Sequence, residues 1–399
     1  MKKAGCSLLW KAGAVKVRLY NMIKTELKSL TRQPFTMFIL FGGPILLTLL
    51  FGGVYVHNYL EDIPMAVLDE DNSSMSRAII QYFDENERFY IKYYCTSEEE
   101  LKKIIDSRKV YMGLYIPRDF SKDINELKSS SVLILVDGTN MVIGNNAYAS
   151  AANIVQTLAA GAQIKLLEAK GMLPRQAENM AMVFRFNDRI LYDPRLTYMN
   201  YLILGFVAVF LQQVMVSSLG VSVIDNGEYL ADEFTLPKLI IKIVTFALFC
   251  VPSIFISTGI AHTIFRVPLR GNLLTALLMC TVFVFAISCP SVVLAAAVRD
   301  KLKLYQLSFM LSLPTFVSSG YVWPMDQMPP ALPVVIKALW PLAFFHKPFA
   351  DVIFKGVPFE AVSKNIAGML LYTFCWMPVA VLLLKKRFNR NDSLDSRAP

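Results

Sequence analysis

Charge is scarce in this 399-residue chain: Asp, Glu, Lys and Arg make up 18% of it, against 55% hydrophobic residues. About a quarter of an ordinary soluble protein is charged, so with a mean hydropathy of +0.44 an all-soluble protein is excluded. Histidine is scarcer still. His57, His262 and His346 are the only three, none lies in a His/Cys/Asp cluster at metal-ligand spacing, and they read as interface residues with no metal site. The dipeptide Gly-Lys never occurs, which excludes a G-x-x-x-x-G-K-[ST] phosphate-binding loop. There is no G-x-S-x-G nucleophile elbow. The long apolar blocks hold no carboxylate pair, which argues against a proton relay. Cysteine is sparse as well. Cys95 alone falls in the polar stretch 57–197, so no disulfide forms there, and the thiol reads as a packed small hydrophobe. These absences remove catalysis from the chain, which reads as no enzyme.

What is present is apolar length. No Asp, Glu, Lys or Arg occurs between Arg32 and Glu61, Arg195 and Asp225, Lys242 and Arg266, Gly271 and Val298, Leu304 and Met325, or Asn365 and Leu384. Each block reaches the roughly 20 residues that carry a helix across about 30 Å of hydrocarbon. The spacing predicts six membrane helices, near 35–56, 199–224, 240–262, 272–297, 305–323 and 366–384. Lys2, Lys3, Lys11, Lys16, Arg18, Lys24, Lys28 and Arg32 precede the first span against the single acid Glu26, and Lys385, Lys386, Arg387 and Arg390 follow the last. Basic flanks mark the cytoplasmic side. Both termini, 1–34 and 385–399, therefore read as cytoplasmic in a multi-pass inner or plasma membrane protein. The net charge of +9 is a topology signal rather than a nucleic-acid footprint. From Val15 to Thr31, Leu19, Ile23, Leu27 and Leu30 recur at helical spacing with the bases on another side, predicting a helix in the membrane interface.

Residues 57–197 change character. Strands are expected at Ile63–Leu68, Phe89–Cys95, Val110–Ile116 and Val132–Val136. Helices are expected at Met75–Phe83 behind an Asn72-Ser73-Ser74 cap, from a Thr96 cap through Ser107, near Asp119–Leu127, and at Asn146–Ala169. Alternating strands and helices predict a compact α/β domain. The fold class is thus an α-helical membrane protein of six spans with an inserted extracytoplasmic α/β domain. Asp137-Gly138-Thr139-Asn140 reads as a turn rather than a ligand site.

Polar residues inside the apolar blocks are few. Gln212, Gln213, Ser217 and Ser218 in the second span, and Gln306, Ser308 and Ser312 in the fifth, suit helix–helix hydrogen bonds; Gln212, Gln213, Ser217, Gln306 and Ser312 are also candidates for lining a substrate path. Lys238 and Lys242 are expected to snorkel to the cytoplasmic surface. Residues 320–364, rich in proline and aromatics, suit an external re-entrant hairpin.

The order of these parts resembles the type-2 permease family of ABC transporters, specifically exporters with a large external domain after the first span. Ser319-Gly320-Tyr321-Val322-Trp323-Pro324 with Met328-Pro329 is similar to the family's motif before the re-entrant hairpin, giving Ser319, Gly320, Trp323, Pro324 and Pro329 as its members. Trp340-Pro341-Leu342, the turn Phe265 to Gly271, and Tyr192-Asp193-Pro194 are similar too, although the family more often has Asn where Asp193 stands. The resemblance implies a segment that docks on an ATPase between the second and third spans. Here that segment carries Asp225, Glu228, Asp232, Glu233, Leu236 and Pro237 but lacks the family's Gly-Thr pair.

The resemblance implies the membrane subunit of an ATP-driven exporter of a lipophilic or amphiphilic substrate. Its partners would be a separate ABC ATPase subunit carrying ATP and Mg, a second identical or different permease subunit, membrane lipids and an outer adaptor, with no nucleic acid and no cofactor on this chain. A membrane sensor with a ligand-binding external domain is the alternative, against which the short cytoplasmic segments argue. A secondary transporter would need intramembrane acids for ion coupling.

Overall fold

The computed structural model describes residues 21–55, 60–126, 128–182, 189–193, 197–226, 230 and 235–395, with side chains as far as 387. The chain divides into two compact units, one formed by Met1–Val56 and Ile190–Pro399, the other by His57–Arg189. In the first unit a helix over residues 21–31 (α1) ends before Gln33. Pro34, which has no N–H to leave unpaired at a helix start, opens α2, Pro34–Val54. A π-helical turn interrupts α2 at Phe38–Gly42.

The unit His57–Arg189 is built on a four-stranded sheet of β1 (Ile63–Asp69), β2 (Phe89–Cys95), β3 (Met112–Ile116) and β4 (Leu133–Val136), ordered β2-β1-β3-β4. β1 runs parallel to β2 and β3, and β4 returns antiparallel to β3. The parallel pairs require helical crossovers, which α3 (Ser74–Asp84) and α4 (Glu98–Asp106) supply. A short α5 (Phe120–Asn125) leads to β4, and a 29-residue α6 (Met141–Ala169) and α7 (Pro174–Ala181) follow. One face of the sheet buries Met65, Val67, Met112 and Leu114 with Ile79, Phe83, Ala147 and Ala151; the other buries Ala66, Leu68 and Cys95 with Leu101. Two helix starts differ from expectation. Ser97, not Thr96, caps α4, while Thr96 donates from its N–H and hydroxyl to the Glu100 carboxylate. α6 begins five residues early because the Asn140 side chain accepts from the Val142 and Ile143 amides, so the Asp137–Asn140 turn is itself the cap.

The first unit resumes with α8 (Tyr198–Asp225), α9 (Thr235–Thr263), α10 (Leu273–Ala297) and α11 (Lys301–Ser318). Two short helices, α12 (Ala331–Leu339) and α13 (Leu342–Lys355), precede the long α14 (Phe359–Asp395). Among the described residues five helices, α2, α8, α9, α10 and residues Phe359–Arg387 of α14, are long and apolar enough to cross a membrane. The expected fifth span, near 305–323, falls on α11 and the turn after it: the helix stops at Ser318, holds 18 residues, and starts with Lys301 and Lys303. α8 is the central helix, its most apolar stretch 89% buried, whereas those of α2 and α14 are 22% and 28% buried. The uncharged blocks thus conceal two environments that composition cannot separate. The Phe265–Gly271 turn packs tightly against α13: a Cβ on Gly271 would lie 2.1 Å from the Val352 carbonyl oxygen, and the Arg270 amide donates to Ile353 at 2.9 Å.

Candidate functional site

Polar side chains of the membrane-helix unit gather into three ties that join its elements. The innermost starts from α1. Leu30 is buried against the helical core, and helical geometry puts Glu26, four residues earlier, on the same face. Glu26, the sole acid in the basic N-terminal run, therefore points inward. Its carboxylate pairs with the Lys242 ammonium of α9, which also donates to Ser222 Oγ of α8 at 2.8 Å. Lys242 is 0% exposed and lies over the Phe246 ring. The expectation that Lys242 snorkels to the surface is thereby corrected. Its carboxylate and hydroxyl partners come to it inside the bundle, so its charge is met without reaching water. One turn beyond Ser222, Asp225 at the end of α8 pairs with Lys301 at the start of α11 at 2.5 Å. Arg387 of α14 donates to the Val298 carbonyl after α10 at 2.8 Å and also to that of Ala295. Of the expected ATPase-docking residues, Asp225 is in this charged group and Leu236 and Pro237 open α9; Glu228, Asp232 and Glu233 lie outside the described residues.

The middle tie joins α8 to α11. Gln212, buried, donates to Thr315 Oγ1 at 3.0 Å and accepts from the Trp340 indole at 2.6 Å. Gln213 donates to Ser217 and Ser308, and the two serine hydroxyls lie 2.9 Å apart. Three of the five path candidates, Gln212, Gln213 and Ser217, are thus brought together and engaged within the chain. Gln306 is exposed on α11, and Ser312 enters the network through its carbonyl, which accepts from Thr315.

The third tie holds the segment that follows α11. Ser319 Oγ lies 2.6 Å from His346 Nδ1, and His346 Nε2 lies 3.0 Å from the Gly205 carbonyl. A carbonyl only accepts, so Nε2 donates to Gly205, while the Ser319 hydroxyl sits between Nδ1 and the Phe316 carbonyl, 2.7 Å away. His346 is 0% exposed and stacks on Tyr321 with centroids 4.1 Å apart. This corrects its reading as an interface residue: α13 turns His346 inward, between α8 and the end of α11. Tyr321 in turn stacks on Tyr201, and each hydroxyl donates to the other's backbone carbonyl. The approach is close enough to require glycine, because a Cβ on Gly205 would lie 2.5 Å from the Tyr321 ring. The tyrosine pair lines a cavity of about 570 Å³ with Leu204, Val322, Lys347 and Phe354. In the expected hairpin motif Ser319 binds His346, Gly320 takes a positive φ of 84°, Trp323 is exposed, Pro324 caps a short 3-10 turn, and Pro329 accepts from the Leu332 amide.

Sequence reasoning missed Glu26, Lys242, Ser222 and His346 as partners. The one available signal was Glu26, a single acid amid bases; nothing along the chain says that its partner lies 216 positions away.

Residues 34–382 match the family described as ABC-2 family transporter protein. YbhR of Escherichia coli K12, a probable multidrug ABC transporter permease, is 23% identical over 387 residues, covering 93% of this chain and 99% of that protein. ABC transporter G family member 20 of Dictyostelium discoideum is 25% identical over 128 residues, 32% of this chain and 17% of that one.

Proposed function

This chain belongs to the ABC-2 transporter protein family, and from that premise we propose that it is the permease subunit of an ATP-driven exporter, moving a lipophilic or amphiphilic substrate out of the cytoplasm or the inner leaflet. ATP and Mg bind a separate ATPase subunit, and two permease subunits pair around the path. α11 is the fifth span in chain order and completes the six: at 1.5 Å per residue its 18 residues reach about 27 Å, near the lower limit for crossing. Both termini then face the cytoplasm, and residues 57–197 lie outside it. The E. coli relative, named as a probable multidrug permease, supports an amphiphilic substrate.

The observation that supports this reading most is the buried Glu26–Lys242–Ser222 tie. A push by an ATPase on α1 or on the Asp225 to Pro237 segment would reach α8 and α9 together, since the ion pair and the Asp225–Lys301 bridge link α1, α8, α9 and α11. The apolar, carboxylate-poor helices offer such a substrate contact area and few specific polar groups. The test is substrate-stimulated ATP hydrolysis by the complex purified with its ATPase. Glu228→Lys with Glu233→Lys should abolish the stimulation while the isolated ATPase still hydrolyses ATP. Unchanged stimulation would overturn the docking assignment.

A further inference from the structure

The unit His57–Arg189 holds a second cavity of about 570 Å³, between α3, α5 and the second half of α6. Its walls are the half-buried Met75, Ile124, Val155, Leu158 and Leu166 over a floor of Ile79 and Phe120. The space exists because α6 turns small residues toward it: Ala159, Gly161 and Ala162 line it, and a Cβ on Gly161 would meet nothing within 4 Å. Apolar walls left half-wet are unfavourable for the empty domain, by roughly 25 cal/mol per Å² of apolar surface, and the size lies within the range of small-molecule sites, about 300–1,000 Å³. Among the described lining residues one is charged, Lys165. No described side chain pairs with it, and no Asp or Glu lines the cleft. Ser74, Tyr82, Asn125, Ser130 and Thr157 carry its other polar side-chain groups.

We propose that this cleft binds a single-chain amphiphile with one negative charge, a free fatty acid, its chain along the Met75–Leu158 walls and its carboxylate at Lys165. One unpaired ammonium matches a monoanion, whereas a phosphate dianion calls for a cluster of donors. The inference stands on the cleft and not on the export reading: transport can persist with this site filled or blocked.

The test uses the full chain in phosphatidylcholine nanodiscs, labelled with a diazirine derivative of palmitic acid and mapped by peptide mass spectrometry. Adducts on peptides from Ser74–Tyr82 and Val155–Leu166, displaced by laurate, are expected. Lys165→Glu, a surface change that leaves the walls intact, should lower this labelling about tenfold, the scale of an exposed charge reversal. Ala162→Trp should remove it by filling the space. Adducts confined to the membrane helices would overturn the proposal, as would cleft labelling equal for a trimethylammonium analogue or undisturbed by both substitutions.

Discussion

Replacing Lys242 by methionine removes a buried ammonium and strands the Glu26 carboxylate, with 11% of its side chain exposed, in the apolar interior. Breaking one side of a buried pair costs about 3–5 kcal/mol, because the remaining charge is neither solvated nor paired. At roughly 2 °C per kcal/mol for a unit of this size, the melting temperature should fall by about 6–10 °C. Glu26→Gln should cost less, since the amide oxygen still accepts from the ammonium and Ser222 remains a partner. In the double variant Glu26→Gln, Lys242→Met neither charge is left, and most of the loss should be recovered, giving a coupling of about 2–3 kcal/mol. Thermal unfolding of the four proteins in one detergent, followed by size-exclusion fluorescence, measures the cycle. A Lys242→Met protein that melts with the wild type would refute the reasoning, for it would mean that the ammonium is hydrated. A double variant as unstable as the sum of the singles would refute it too, showing that methionine and glutamine perturb packing independently.

Three other outcomes are expected. His346→Ala should lower stability by about 3 kcal/mol in the same melting assay, from a cavity beneath Tyr321 and the unpaired Gly205 carbonyl. Gln212→Ala should cost about 1–2 kcal/mol by leaving the Trp340 indole and Thr315 without their partner, while Gln306→Ala, on an exposed position, should stay within about 0.5 kcal/mol. In the sheet unit, burial pushes the Cys95 thiol up and the Glu100 carboxylate adds to it. The thiolate fraction at neutral pH is therefore below that of an ordinary cysteine. Maleimide should react slowly, faster as pH rises, and faster again in Glu100→Gln; a rate that is flat between pH 7 and 9 would contradict this.

Much of the sheet unit was legible because its signals are local. The period-two run Phe89–Cys95 is a strand, and Ser73 caps α3 three residues before Ser76 answers it. The misplaced starts of α4 and α6 show the limit of that reading: Thr96 and Ser97 are neighbours that can both cap, and the backbone turns at Ser97, the better capping residue. In the membrane-helix unit, apolar length located the long helices. It could not rank α8 above α2, since a helix facing lipid and a helix facing other helices have the same composition. The stop of α11 at Ser318 was hidden for the same reason, as the uncharged run continues to Met325.

The sequence by itself determined that this is an apolar, multi-helix chain with a polar insert, and its ordered motifs pointed to the transporter family it belongs to. Periodicity, caps and the absence of charge act within a few residues, and each can be read where it stands. The tertiary structure decided the pairings: Glu26 with Lys242, Gln212 with Trp340, Ser319 with His346. A polar side chain in an apolar block has two ways to avoid an unsatisfied state, reaching water or finding a partner on another helix. For Lys242 and His346 the sequence suggested the first, and only the packing of helices far apart in the chain provides the second.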